Sequence, residues 1–207
     1  MRARYVFLST GSRRNLRGQN HRLQYGDSLL YHCTIELIGQ NNTVEIFPGA
    51  RLWDTTIRLV GEGLRCRIGA QSRLHGGHYI LEDKNSRLTI GEGTTIYSPM
   101  CVVNEGGCIT IGNDCMVAYG TDLRNSDGHS ILDAVTRERI NRPRDITVAD
   151  HVWIGAQCQI LKGVTIGPRA IVAARSVVTK DVAAGTLVAG VPTRVIREQV
   201  DWDSRRL

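Results

Sequence analysis

Aromatic residues make up only 5% of this 207-residue chain. That scarcity argues against a core built around large rings, which usually supply much of a domain's buried area. No run of about eighteen apolar residues occurs, so no segment predicts a membrane span. The stretch "YVFL" at 5–8 is too short for a signal-peptide core, and the expected location is the cytoplasm. The six cysteines Cys33, Cys66, Cys101, Cys108, Cys115 and Cys158 form no CxxC pair, so no zinc site is indicated. In the cytosol their thiols would stay reduced.

Glycine, by contrast, is plentiful at 22 residues, which suits a chain that turns many tight corners over small aliphatic layers. Lys and Arg total 26 against 20 Asp and Glu, a formal charge of +6. Such a balance favours an anionic partner: nucleic acid, a phosphorylated cofactor or an acidic glycan. Arg2, Arg4, Arg13, Arg14, Arg17 and Arg22 crowd the N-terminus without interleaved base-stacking aromatics. That pattern reads as a solvated basic face, and nucleic acid is disfavoured.

The sequence counts in sixes. Aliphatic residues recur at Ile154, Ile160, Ile166, Val172 and Val178, and four residues after each stands a small or branched one: Cys158, Val164, Ala170, Ser176 and Val182. The same beat begins at Ile46 and Leu52, Ile68 and Leu74, Ile90 and Ile96, and Ile111 and Val117. Ile46, Ile68 and Ile90 are 22 apart, so each early coil carries extra turn-forming residues such as "GQNN" and "GEG". Period six matches no helix, and the β-branched content favours strands. Six residues make one short strand and a corner; three sixes close a triangular coil, and coils stack over one another's apolar faces. On this pattern Cys66, Cys115 and Cys158 are core filler, and His78 is expected to point inward from "LHGGHY".

The segment "IGAQCQILKGVTIGPRAIVAARSVVTKDV", followed by "AGVPTRVI", resembles the hexapeptide-repeat acyltransferases. The resemblance implies an all-β fold: a left-handed parallel β-helix with triangular coils. It spans residues 35–192 as an acetyltransferase domain, after an N-terminal cap over 1–34. A tail over 193–207 follows, expected to be helical from the spacing of Val195, Ile196 and Val200.

One interruption breaks the count. Between Leu123 and Val148 lies "RNSDGHSILDAVTRERINRPRDIT", a loop insertion over 124–147. Structureless loops this long are uncommon in compact domains unless they are functional or disordered. "DGHSILD", "ERIN" and the following "VADHVWIGA" resemble one branch of the family, the O-acetyltransferases of bacterial capsular and lipopolysaccharide sugars, polysialic acid O-acetyltransferases among them. In that branch the loop histidine is the catalytic base, which places the role on His129, and a following tryptophan matches Trp153. The residue type suits the task. A sugar hydroxyl is a poor nucleophile until its proton is being removed, and imidazole titrates near neutrality. Asp127 or Asp133 could orient the ring, with Asp127 favoured by proximity.

The implied acyl donor is acetyl-CoA, held between subunits of a homotrimer. Carried over by motif, Ala156 and Ala174 would flank the pantetheine arm, Trp153 and Gly155 would belong to the same cofactor-binding set, and the oxyanion donor would be a backbone N–H near Gly155 and Ala156. Lys180 and Arg194 would meet phosphates, and Pro192 would lie near the adenine. The acceptor would be a sugar or polysaccharide. Galactoside and maltose acetyltransferases carry an asparagine where this chain has Met100, so their sugar recognition does not transfer.

Rival readings remain open on sequence. The same scaffold could carry an N-acetyltransferase for an amino sugar or an antibiotic, or a non-catalytic binding module whose loop docks a partner. Trp153 could simply cover a subunit interface, and Trp53 more so. Gamma-class carbonic anhydrases build zinc sites on such helices from two histidines five apart plus a third. His75 and His78 are three apart, so no metal is expected.

Overall fold

In a computed structural model of the chain, residues 11–205 are described. The "YVFL" stretch, Arg2, Arg4 and the last two residues of the tail lie outside them. Within the described residues the chain is a prism of three parallel sheets, with eight, seven and nine strands on its first, second and third faces. Each coil visits the faces in that order; the first runs through Arg13–Gln19, Arg22–Gln24 and Leu29–Tyr31. Among the described residues the stack begins at Arg13. Part of the segment expected as an N-terminal cap is thus itself a coil, with Arg13 to Gln19 in register with Thr34 to Gln40.

Alternation sends every second side chain inward. Val44, Cys66, Leu88 and Ile109 stack in register inside the second face, each fully buried. Cys115 and Cys158 fill inward corner slots at 2% and 0% exposure, as their places in the repeat predict. The extra residues of the early coils lengthen the first-face strands to seven residues, as in Thr34–Gln40, Thr56–Glu62 and His78–Lys84. These strands end in a bend where Gly18, Gly39 and Gly61 stack with φ of 118°, 111° and 149°. A Cβ on Gly39 would lie 2.0 Å from the Gly61 carbonyl oxygen, so only glycine fits at that position.

Two expectations are corrected. His78 is exposed, not inward. At the third–first corner of the early coils the inward slot falls three residues after the aliphatic one, at Cys33, Thr55 and Pro99, so this corner is one residue tighter. The tail is not helical: Thr193–Glu198 returns antiparallel along Thr186–Gly190. Thr193, Val195 and Ile196 are β-branched, and the open edge of the third face satisfies their backbone groups better than an isolated turn would.

Tyr79 is the largest fully buried side chain, at 1% exposure, in register between Ile57 and Cys101. Its hydroxyl has no hydrogen-bond partner among the described residues, and burial holds the phenol well above its usual pKa. An unsatisfied buried hydroxyl costs about 1–3 kcal/mol. Tyr79→Phe is therefore expected to raise the thermal midpoint by a few degrees at unchanged activity; a lower midpoint would reveal a partner for the hydroxyl.

Candidate active site

The interruption in the repeat is a built arm. It leaves the first face after Asp122–Arg124 and rejoins the second at Ile146–Val148. Its two ends close on each other, the Arg144 N–H donating to the Asn125 carbonyl at 2.9 Å. Asn125 is fully buried and bonds Asn104 through both N–H and carbonyl, at 2.9 Å each, which ties the root of the arm to the coil above. Farther out the arm folds back on itself: Ile140 N–H reaches the Ile131 carbonyl at 2.9 Å, and Asp133 N–H the Glu138 carbonyl at 2.8 Å.

Glu105 and Asn141 set the arm's position, and neither was a sequence candidate. The Arg139 guanidinium grips Glu105 with both terminal nitrogens, and the Ser126 hydroxyl donates to the same carboxylate. Arg139 foremost, then Ser126, holds the Glu105 carboxyl down at about 2, so the clamp stays charged throughout the range where an imidazole titrates. Asn141, 8% exposed, is the hub. Its side-chain oxygen accepts from Ile131 N–H at 2.6 Å, and its amide donates to the His129 carbonyl at 2.8 Å and to Asp127 Oδ2 at 2.6 Å. Asn141 belongs to the "ERIN" motif, so the segment was legible although the role was not.

His129 is exposed at the elbow of this network. Its carbonyl is fixed, while its ring makes no hydrogen bond or ion pair among the described residues. The two carboxylates proposed to orient it are engaged elsewhere. Asp127 takes the Lys162 ammonium and the Asn141 amide, and these, Lys162 first, hold its carboxyl below the usual range. Asp133 caps its own turn, accepting from Val135 and Thr136 N–H at 2.9 and 2.8 Å. Within one chain, neither contacts the ring.

The donor-binding candidates divide between two edges of the prism. Ala156 and Ala174 occupy the third–first corner in consecutive coils, linked by the Arg175 N–H to the Ala156 carbonyl at 2.8 Å. Pro192, after a cis peptide bond, and Arg194 extend that edge at the turn out of Thr186–Gly190. Gly155 is buried against Ala174, where a Cβ would lie 2.5 Å from the Ala174 nitrogen. The Gly155 N–H is spent on the Val172 carbonyl at 2.8 Å, whereas the Ala156 N–H donates to no group among the described residues. Trp153, 38% exposed, stands on the third face just before this corner. Lys180 instead shares the first–second corner with the arm and Lys162. One chain therefore presents His129 on one edge and the small residues Ala156 and Ala174 on another.

The tail adds a residue that sequence reasoning missed. Trp202 stacks on His151 at 4.5 Å and 11°, donates from Nε1 to the His151 carbonyl at 2.7 Å, and comes within 6.2 Å of Trp153. Beside Trp153, then, a second indole is held in place.

Comparison with known proteins fits this geometry. A family model described as bacterial transferase hexapeptide (six repeats) matches residues 145–180. Polysialic acid O-acetyltransferase of Neisseria meningitidis is 34% identical over 70% of this chain and 68% of its own length. Polysialic acid O-acetyltransferase of Escherichia coli O1:K1 / APEC is 37% identical over 66% of this chain, but the match spans only 44% of that protein. Among solved structures, the polysialic acid O-acetyltransferase OatWY superposes with a TM-score of 0.92 at 30% identity, covering 94% of this chain and 93% of that one. The polySia-specific acetyltransferase NeuO gives 0.87 at 30% identity, over 94% and 90%. The parallel solenoid and the matched repeats define the class. The chain belongs to the hexapeptide-repeat acyltransferases, in the branch of the polysialic acid O-acetyltransferases.

Proposed function

We propose that this protein transfers an acetyl group from acetyl-CoA to a hydroxyl of a bacterial surface-polysaccharide sugar, acting in the cytoplasm on left-handed coils. The observation that carries the reading is the arm, whose clamp ends at the His129 peptide and leaves the imidazole uncommitted. His129 takes the proton of the sugar hydroxyl as its oxygen attacks the thioester carbonyl carbon. The carbonyl oxygen, now anionic, is met by the Ala156 N–H. When the C–S bond breaks, the imidazolium returns the proton to the CoA sulfur, leaving an ester and a free thiol. Small side chains at Ala156 and Ala174 leave the corner open for a pantetheine arm, and Arg194 and Pro192 lie farther along it.

The separation of base and groove supports a site shared between neighbouring copies of a homotrimer. So does the arm's apolar outer surface: Val135 is 90% exposed, Ile140 66% and Ile131 55%. An arm this apolar is suited to covering a neighbour. Thiol release from acetyl-CoA in the presence of polysialic acid tests the activity. Mixing tests the shared site. His129→Ala and Ala156→Trp chains are each expected to be inactive, and co-assembly at equal ratio should restore up to about a quarter of the sites. No recovery in verified mixed trimers would confine the site to one chain.

A further inference from the structure

The third face carries two columns that lead to Trp153 and Gly155, and neither is used by the reaction above. One is cationic at its top. Arg51, Arg73, Thr95, Met116 and Trp153 follow one another in register down five coils. Three basic residues elsewhere on the prism face an acid one coil away: Arg58 meets Glu36 at 3.3 Å, Arg67 meets Glu45 at 3.4 Å and Lys84 meets Glu62 at 3.0 Å. Arg51 and Arg73 instead face each other, both exposed, and engage no carboxylate among the described residues. Like charges directly opposite on adjacent strands are destabilising, which leaves a place for an anion between them.

The neighbouring column is a stack of rings. Tyr31, Trp53, His75 and Tyr97 stand in register. Trp53 and His75 stack at 4.5 Å and 6°, and His75 and Tyr97 at 4.8 Å and 9°. Below Tyr97 the column changes character, since continuing the register gives Ala118 and then Gly155. The rings therefore cover one another's faces down to Tyr97, whose underside meets no further ring in the column. A cavity of about 570 Å³ runs beside the rings and past Tyr97, lined by Trp53, Asp54, His75, Tyr97, Ala118 and Tyr119, with Asp54 3.5 Å from His32. On the other side of Tyr97 a second cavity, about 710 Å³, runs from Arg73 over Thr95 and Met116 to His151 and Trp202. Of the acids lining it, Asp203 pairs with Arg205 at 2.6 Å and Asp201 with His151 at 3.4 Å, while Asp114 is exposed and makes no ion pair among the described residues.

We propose that this face is the acceptor track, on which an anionic glycan chain lies along the prism axis. An acidic group sits between Arg51 and Arg73, and a sugar ring packs beneath Tyr97, so that the chain runs toward Trp153. Adjacent strands are about 4.8 Å apart, which puts the Arg73 rung about 14 Å above Trp153 and the Arg51 rung about 19 Å above it. The track therefore reads acidic groups several sugars away from the hydroxyl that reacts. Arg65 and Arg87 form a second unpaired couple on the second face, but no ring column accompanies them.

The proposal rests on the acetyltransferase reading, and two measurements separate them. Steady-state acetylation of polysialic acid is compared for wild type, Arg51→Ala/Arg73→Ala, Tyr97→Ala and the matched control Arg65→Ala/Arg87→Ala. The first two variants are expected to raise KM for the polymer about tenfold or more, with kcat within about twofold and a shallower dependence of KM on salt. The control should keep the wild-type KM. Direct binding of polysialic acid and of a neutral polysaccharide is then measured on a His129→Ala background, where turnover plays no part. Binding of the acidic chain alone, lost with Arg51 and Arg73, supports the track even if no acetylation were found. A normal KM in both track variants overturns it while leaving the enzyme reading intact. Sedimentation of each variant closes the remaining route: dissociation into single chains would make this face a subunit contact and overturn the track.

Discussion

His129→Ala is expected to lower kcat for glycan acetylation by about 10²–10⁴, the usual span of general-base assistance, with KM for acetyl-CoA nearly unchanged. The ring makes no structural bond among the described residues, so its removal leaves the clamp of Arg139, Glu105 and Asn141 standing. The thermal midpoint should therefore stay within a degree or two of wild type. Loss of activity without loss of stability is what separates a base from a packing residue. Turnover persisting in the variant would remove the proposed mechanism.

Asn141→Ala is expected to be the next most damaging change, through position and not chemistry. The amide holds the His129 carbonyl at 2.8 Å and Asp127 at 2.6 Å, while its oxygen takes Ile131 N–H at 2.6 Å. Deleting it leaves those groups to find new partners and lets the elbow drift, and a displacement near 1 Å in a catalytic group can cost about 10²-fold. The expected result is a fall in kcat of about 10- to 100-fold with KM for acetyl-CoA held, at a modest cost in thermal stability. A purely structural role would lower stability without this split between kcat and KM. An unaltered kcat would make Asn141 ordinary loop packing.

Much of this was legible in the residues themselves. The sixfold beat locates the coils because inward positions must be aliphatic or small, and Ile154, Ile160 and Ile166 are fully buried as the spacing demands. The arm was legible as a gap in that beat, and His129 as the histidine within it. His78 misled because the corner it follows is one residue tighter, and tightness at a corner leaves no mark on an apolar/polar pattern. The tail misled because Val195 and Ile196 suit a strand as well as a helix, and only the free edge of the third face decides between them. The first coil, Arg13 to Tyr31, escaped because its side chains are mostly exposed and carry little hydrophobic signal. Glu105 lies 34 residues before Arg139, and such a pairing emerges only once the coil places both at the arm's root.

The place of the arm along the prism has a consequence of its own. Among the described residues it springs from the sixth of eight strands on the first face, with most of the stack between it and the first coil. In a solenoid each layer leans only on its neighbours, so melting can start at an end and advance layer by layer. Loosening of the thin, solvent-washed uppermost turn would therefore stop well short of the chemistry. The intervening layers act as a buffer, letting the rim of the molecule breathe while the imidazole's footing stays firm.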